Sequence, residues 1–510
     1  MNSDGRLDIV MAPAEPVGQY SRLSWCNIHE DAASGGREHV VDPRVETVMH
    51  SVVAGDFDLD GRPDLVTALM HQGIGAEDVA LYRQTADGWT REVIGRSGSH
   101  SMKAADVDQD GDLDLLGANW TGNHTPIEMW LNTASQRVAP GWKRHVIDDS
   151  KPWRSVFVQT GDLNGDGRPD IATGGWWYAN PGLVGGRWVR QAFGQPANNL
   201  ALLGDWDGNG TLDVLASTWY DPRRWGWTER FMRKTGLRPL QPDGGMVWAS
   251  NNGRGEFVLH DTPSAGAGDF LQGVAAMNIA GETRVALSWH AAGHGIQALT
   301  VPAWPVETAW PMGLISQVSQ DEALSAVDVD LDGRIDLMLG TRWLQNTPDG
   351  WRAHSLHDTA ASPDRHAVAD LSGDGRPDVV VGYEAIDELG WLTWYEQGDD
   401  PRAAWTEHRI AQVFGPMSLS VIDMDRDGDL DVGVGEHRLK HPSAARLMWF
   451  ENRDGQGRQW AMRRIATGDE HHNGALAVDI DQDGDPDVIS IGWGHDRLLL
   501  YENLTRNPLQ

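Results

Sequence analysis

The sequence predicts an all-β chain, a β-propeller built from four-stranded antiparallel blades. Three observations predict it. An aspartate-rich loop of nine residues recurs along the 510-residue chain. Short apolar runs flank each copy. The copies start 42 to 71 residues apart, mostly near 50, and a period of that size marks a repeat architecture.

The loop comes first, because it fixes the phase of everything else. DFDLDGRPD starts at Asp56, and seven further copies follow the pattern D-x-[D/N/S]-x-[D/N]-G-x-x-D. Carboxylates so close repel unless a cation sits among them, and calcium takes six to eight oxygens in flexible geometry. The expected metal ligands are positions one, three, five and nine. In chain order these are Asp56, Asp58, Asp60 and Asp64; Asp106, Asp108, Asp110 and Asp114; Asp162, Asn164, Asp166 and Asp170; Asp205, Asp207, Asn209 and Asp213. The later copies give Asp328, Asp330, Asp332 and Asp336; Asp370, Ser372, Asp374 and Asp378; Asp423, Asp425, Asp427 and Asp431; Asp479, Asp481, Asp483 and Asp487. Glycine at position six permits the sharp turn, and the ninth-position aspartate is expected to close the cage. An EF-hand would need Glu at position twelve, where no copy has one. About eight structural calcium ions are therefore expected. A further copy is cut by the chain start at Asn2, Asp4 and Asp8. Another has decayed around Gly281, where Arg284 replaces the last aspartate and its guanidinium is expected to stand in for the ion.

Strands A and B flank each loop, as in SVVAG before Asp56 and DLVTAL after Gly61-Arg62-Pro63. Runs of four to seven small or β-branched residues read as strands. A third run ends in an aromatic and an amide, such as WYAN at Trp177 and MWFEN at Met448. A fourth follows a turn, such as WTREVIG and WKRHVID. Four antiparallel strands per unit of about fifty residues make a propeller blade.

The D-x-D-x-D-G-x-x-D loop between two short strands, with W-x-x-N later, resembles the FG-GAP or VCBS repeat. The resemblance covers nearly the whole chain and implies a calcium-braced propeller. Such arrays occur in adhesion proteins, lectins, polysaccharide lyases and sugar enzymes of the aldos-2-ulose dehydratase type, so it implies no single activity. No catalytic signature of any of them carries over residue by residue.

About ten units fill residues 1–510 as one continuous array, with ring number and size open. The first unit lacks strand A and the last lacks strand D, which suggests that they complement each other, or that the chain is a fragment. The largest insertion, Tyr220 to Gly245, is basic and reads as a surface loop. Net charge is −32, of which eight divalent ions would neutralise half. A nucleic-acid partner is excluded for want of a basic face. No run of eighteen apolar residues predicts a membrane helix, and no signal peptide is visible at the start. Cys26 is the single cysteine. Loops that fill at extracellular calcium levels point to an extracellular or periplasmic protein.

Strand A runs towards the ion loop and strand B away from it. Residues before A and after B therefore share the opposite mouth of the ring. Twelve of the 19 histidines fall there: His50, His100, His366, His471 and His472 before A, and His71, His124, His290, His294, His437, His441 and His495 after B. Candidate catalytic residues are His290, His294, Glu436, His437, His441, Arg342 and Tyr383, with imidazoles as acids, bases or ligands of a second metal. Candidate substrate contacts are Trp120, Trp176, Trp493, Arg154, His366 and His472. Two functions fit. One is a carbohydrate lyase or dehydratase that abstracts a proton at the funnel and eliminates across a carbon–oxygen bond. The other is a non-catalytic propeller that binds glycan or protein. A carbohydrate ligand is expected in both, and a protein partner stays open.

Overall fold

The computed structural model describes residues 1–510 apart from 2–7, 28–35, 59–61, 86–87, 106, 108–112, 120–126, 133–137, 219–244, 263–270, 291–292, 360, 473 and 506–510. Among the described residues there is no α-helix, and ten antiparallel sheets account for the chain. Two compact units divide it, Met1–Ala139 and Pro140–Gln510.

The first unit holds three sheets. The middle one has four strands, Met49–Gly55, Asp64–Leu69, Val79–Thr85 and Gly88–Gly95. The other two have three strands each. Its core gathers Leu23, Leu65, Val66, Val79 and Met102, all at most 3% exposed.

The second unit is a propeller-like ring of seven four-stranded blades. Blades I to VI span residues 158–192, 199–262, 271–316, 325–355, 363–414 and 416–467. Blade VII takes Leu476–Val478, Asp487–Ile491 and Leu498–Asn503, and its outer strand is Trp142–Asp148 from the start of the unit. The last unit is thus completed by WKRHVID, not by the first repeat as the sequence suggested. Between blades VII and I, Ile171, Trp176 and Tyr178 pack on Ile480, Ile489 and Leu500.

The repeat residues explain how blades hold together. In all eight loops the ninth-position aspartate is at most 1% exposed. Its two oxygens accept main-chain N–H groups from loop position two and from the amide residue of strand C, at 2.7–3.1 Å. That aspartate staples strand C to the loop, a job the ligand pattern alone did not indicate. The strand C amide then reaches the neighbouring blade. Asn180 donates to Ile480 O, Asn251 to Leu163 O, Gln397 to Val329 O and Asn452 to Leu371 O, at 2.8–3.2 Å. Buried carbonyls cost about 1–3 kcal/mol when left unpaired, so the aromatic–amide signature is an inter-blade latch.

A second latch joins a strand C tyrosine to an aspartate of the preceding blade and an arginine. Tyr178 donates to Asp148 beside Arg190, and Tyr501 donates to Asp469 beside Arg144. In the first unit Tyr82, Asp42 and Arg91 repeat the arrangement. The strand D histidines stack on strand C tryptophans: His39 on Trp25, His354 on Trp343 and His408 on Trp394. They are structural, as is His145 against Glu502.

Blade III corrects one expectation. Its decayed loop is a two-residue hairpin turn at Ala280 (φ 53°) and Gly281 (φ 87°), and the ladder continues to the Ile279–Glu282 pair. Arg284 pairs with Glu282 at 2.8 Å. The hairpin ladder, rather than a guanidinium in the ion's place, closes this blade.

Candidate functional site

The acidic loops form one end of the blades. Glycine at position six has φ of 83–102° in the six described ring loops, and its N–H donates to the first aspartate at 2.7–3.1 Å. In five loops, three carboxylates bring oxygens within 4.8 Å of one another: Asp56, Asp58 and Asp64; Asp205, Asp207 and Asp213; Asp328, Asp330 and Asp332; Asp423, Asp425 and Asp431; Asp479, Asp481 and Asp483. Buried oxygens of Asp330, Asp423, Asp479 and Asp483 receive no hydrogen bond. Burial, with neighbouring carboxylates adding to it, pushes Asp431 up to about 7 and Asp487 up to about 8. Unpartnered, mutually repelling hard oxygens are what a divalent cation would satisfy, so the residues fit calcium. Asp60, Asp106, Asp108 and Asp110 lie outside the described residues.

The opposite mouth of the seven-blade ring gathers a polar cluster. Below it the central channel opens as a cavity of about 240 Å³, lined by Val156–Gln159, Gln272–Val274, Arg365, Ser418 and Gly474–Leu476 among others. Arg365 spans this channel. Its Nη2 donates to Gln272 Oε1 at 2.7 Å, and its Nη1 lies 3.3 Å from Glu322 Oε2. Glu322 Oε1 faces His290 Nδ1 at 2.8 Å. On the other side His437 Nδ1 makes a short hydrogen bond to Glu470 Oε1. Glu470 Oε2 accepts the N–H groups of Trp493 and Gly494 at 2.8 and 2.9 Å. The His437 and His472 rings lie 4.3 Å apart, and His472 meets Trp493 edge-on at 5.6 Å. The half-buried Arg154 lies over the Trp493 ring at 5.1 Å.

Electrostatics divide the histidines. Burial pushes His366 down to about 3 and His471 and His495 down to about 4. His472 is pushed well down by burial, with His437, Arg365, His290 and Arg154 adding to it. These four are neutral at pH 7, so they do not each titrate near neutrality as unperturbed imidazoles would. Burial would raise the Glu470 carboxyl, but the hydrogen bond and charge of His437 outweigh it and hold Glu470 low. An imidazole whose Nδ1 proton is held by a carboxylate presents Nε2 as acceptor, base or ligand. His437 and His290 both have that form.

Of the residues singled out from sequence, the structure therefore brings together His290, His437, His472, Arg154 and Trp493. Others stand elsewhere. Glu436 is fully buried and its carboxylate is consumed by Arg446 and the Phe414 N–H, so it is structural rather than catalytic. Tyr383 is 7% exposed and its hydroxyl bonds Tyr395 within the core between blades IV and V. Trp176 is 2% exposed against Trp153 and offers no face to a sugar. His366 neighbours Arg365 on one strand; successive side chains alternate, so it faces away from the channel that Arg365 lines. His294, His441 and Arg342 are exposed, and among the described residues no hydrogen bond or ring contact ties their side chains to the cluster. Trp120, His124 and Tyr220 lie outside the described residues. His50 and His100 belong to the first unit, where their rings lie 5.3 Å apart. Sequence reasoning missed Glu322, Glu470, Arg365 and Asp364. The adjacency of Glu470 to His471-His472 was an available signal. No group of three ligand-type residues at this mouth lies within metal-sharing distance among the described residues.

No helix among the described residues is long and apolar enough to cross a membrane. Comparison with curated protein sequences finds no match. Among solved structures, a thermostable family-43 glycoside hydrolase aligns at 8% identity and a TM-score of 0.28, over 45% of this chain and 88% of that one. A protein of unknown function from Dyadobacter fermentans DSM 18053 aligns at 11% identity and 0.37, over 72% and 100%. Likenesses this low carry no argument about activity. The family model for the FG-GAP-like repeat matches twice, at residues 106–173 and 370–434. Each match begins on the first aspartate of a loop and runs into strand B of the following repeat, so in these two stretches the chain is similar to the FG-GAP-like repeat.

Proposed function

We propose that the chain is a calcium-braced propeller whose histidine-bearing mouth acts on carbohydrate by proton abstraction and elimination across a carbon–oxygen bond. The observation that carries this reading is the pair of carboxylate–imidazole units, His437–Glu470 and His290–Glu322, facing one channel mouth with Arg365 and Arg154. One imidazole Nε2 takes the proton from carbon next to a carbonyl or carboxyl group. The carbon–carbon double bond forms as the neighbouring carbon–oxygen bond breaks, and the leaving oxygen takes a proton from the second unit. Arg365 or Arg154 offsets the enolate charge. Trp493 offers an apolar ring to the sugar. Calcium in the acidic loops would brace the blades without entering the chemistry. Its filling at extracellular concentrations supports an extracellular or periplasmic setting.

The test is incubation with uronic-acid polysaccharides and with oxidised anhydro-sugars, following ultraviolet absorbance of unsaturated product. General acid–base groups contribute about 10²–10⁴-fold, so His437→Ala and His290→Ala should each lower turnover on that scale. If no substrate yields product, the alternative gains: a non-catalytic glycan binder built on the Arg154–Trp493 platform. A glycan array separates the two, since binding alone would survive His437→Ala and weaken in Trp493→Ala.

A further inference from the structure

The first unit builds two blade seams of the kind seen in the ring and leaves one apolar face bare at each end. Its first sheet is Asp8–Met11, Tyr20–Asn27 and Arg37–Glu46, and its third is Ser101–Ala105, Asp114–Ala118 and Ile127–Trp130. Successive side chains of a strand point to opposite faces. Each blade therefore has a leading face, with the first residue after the ninth-position aspartate, and a trailing face, with the second. At the seam between blades VII and I the trailing pair Ile489–Leu500 packs with the leading pair Ile171–Tyr178, and all four are at most 1% exposed. The same rule holds inside the first unit. Val10 and Leu23 of the first sheet meet Leu65 and Tyr82 of the middle one, and Val66 and Leu81 of the middle sheet meet Leu115 and Trp130 of the third.

The two outward faces break the rule. On the third sheet the trailing pair is Leu116–Met129, with Ala118–Ile127 beside it. Ile127, Met129 and the following Leu131 are 81%, 50% and 52% exposed. On the first sheet the leading pair is Ile9–Cys26, with Met11–Ser24 beside it and Val40 opposite Ser24. Ile9, Met11 and Val40 are 52%, 40% and 48% exposed. Large apolar side chains gathered on an exposed face mark an interaction surface. One face is trailing and the other leading, so they match each other and neither matches itself. A head-to-tail contact of that kind makes a ring if its rotation closes. Propellers typically have four to eight blades. One copy of the unit offers three and three copies would offer nine, whereas two offer six.

We propose that the first units of two copies of this chain close one six-blade ring, the trailing face of each packing on the leading face of the other. A second copy is the occupant because the chain itself carries both halves of the seam in matching register. Leu116–Met129 stands where Ile489–Leu500 stands, and Ile9–Cys26 where Ile171–Tyr178 stands. The ring of the second unit is already closed at its own seam between blades VII and I. The pairing holds whether or not the mouth of that ring is catalytic.

Light scattering of the full chain tests the ring. The wild type should have the mass of two chains at micromolar concentration. Met129→Arg and Ile9→Arg should each have the mass of one, with an unchanged circular dichroism spectrum, because both side chains are exposed in the single chain. Cys26 is the single thiol, and its two copies lie at different seams, so a short bismaleimide should leave the wild type uncross-linked. Met129→Cys sets a second thiol across the seam from Cys26, and the same reagent should then give a covalent dimer. A monomeric wild type overturns the proposal. A dimer that withstands both arginine variants, or that only one of them dissociates, overturns it as well, since a patch that pairs with itself needs one face alone. A cross-link through Cys26 in the wild type, or none in Met129→Cys, overturns the head-to-tail register.

Discussion

Arg144→Met tests how the seven-blade ring is closed. Arg144 lies on Trp142–Asp148, the strand that completes blade VII, and its guanidinium grips Asp469 through Nε at 2.7 Å and Nη2 at 3.2 Å. Both side chains are at most 8% exposed. The Tyr501 hydroxyl donates to the same carboxylate at 2.8 Å, and Arg497 lies 3.0 Å from its other oxygen. Removing one partner of a buried ion pair costs about 3–5 kcal/mol, because the other charge stays buried. Arg497 remains in place, which puts Arg144→Met at the lower end, about 3 kcal/mol, or roughly a hundredfold in the folding equilibrium. Arg144 and Arg497 hold the Asp469 carboxyl far below the usual range against its burial. A depressed acid contributes stability above its unfolded value of about 3.9 and loses it as pH falls through the folded value. The difference between wild type and variant should therefore be constant from mildly acidic to neutral pH. Urea unfolding of the full chain, followed by tryptophan fluorescence, reads the cost. Arg144→Met/Asp469→Leu should regain only part of it, since Arg497 and the Tyr501 hydroxyl then lose the carboxylate they share. A single variant within about 0.5 kcal/mol of wild type would refute the claim that this strand is locked by its ion pair.

Asn251→Ala strands the carbonyls of Leu163 and Leu212 and the Gly253 N–H; unfolding should show a loss of about 2–3 kcal/mol. Asn503→Ala, whose side chain among the described residues bonds only within its own blade, should lose less in the same titration. Leu331 is 58% exposed at φ 55°, and Leu331→Gly should raise the urea midpoint by relieving up to about 1 kcal/mol of left-handed strain. Chelation should lower the melting temperature, and Asp425→Asn should reduce calcium, counted by mass spectrometry, by about one ion per chain; a metal count near zero in the wild type would refute the brace.

The repeat was legible because its constraints are local. Asp205 to Asp213 must turn, so glycine sits at position six, and the β-branched run that follows has nowhere to go but back along the sheet. The partition of the chain was not legible. WKRHVID has the same strand D pattern as WVRQAFG or WRAHSLHD, and nothing within seven residues says which strand C it will join. It pairs with Leu498–Asn503, some 350 residues away, and Asp469, which completes its lock, lies outside the acidic loop that sets the repeat's phase.

The mouth was legible for a directional reason: strands A and B run opposite ways, so whatever precedes A and follows B must meet. Which of those residues matter was not, because a titratable ring is defined by its partner. His366 and His437 look alike in the sequence. In the fold one is buried beside Arg365 and pushed to about 3, while the other is handed a carboxylate from the next blade. The carboxylates that make His290 and His437 distinct, Glu322 and Glu470, both precede strand A of a neighbouring blade. An interface between blades is therefore needed to build either unit. Loosening the inter-blade latches should disturb the mouth before it unfolds a blade, and Asn452→Ala, at the blade V–VI latch on the acidic-loop side, is the variant in which that coupling can be read as a change at His437 with the strands intact.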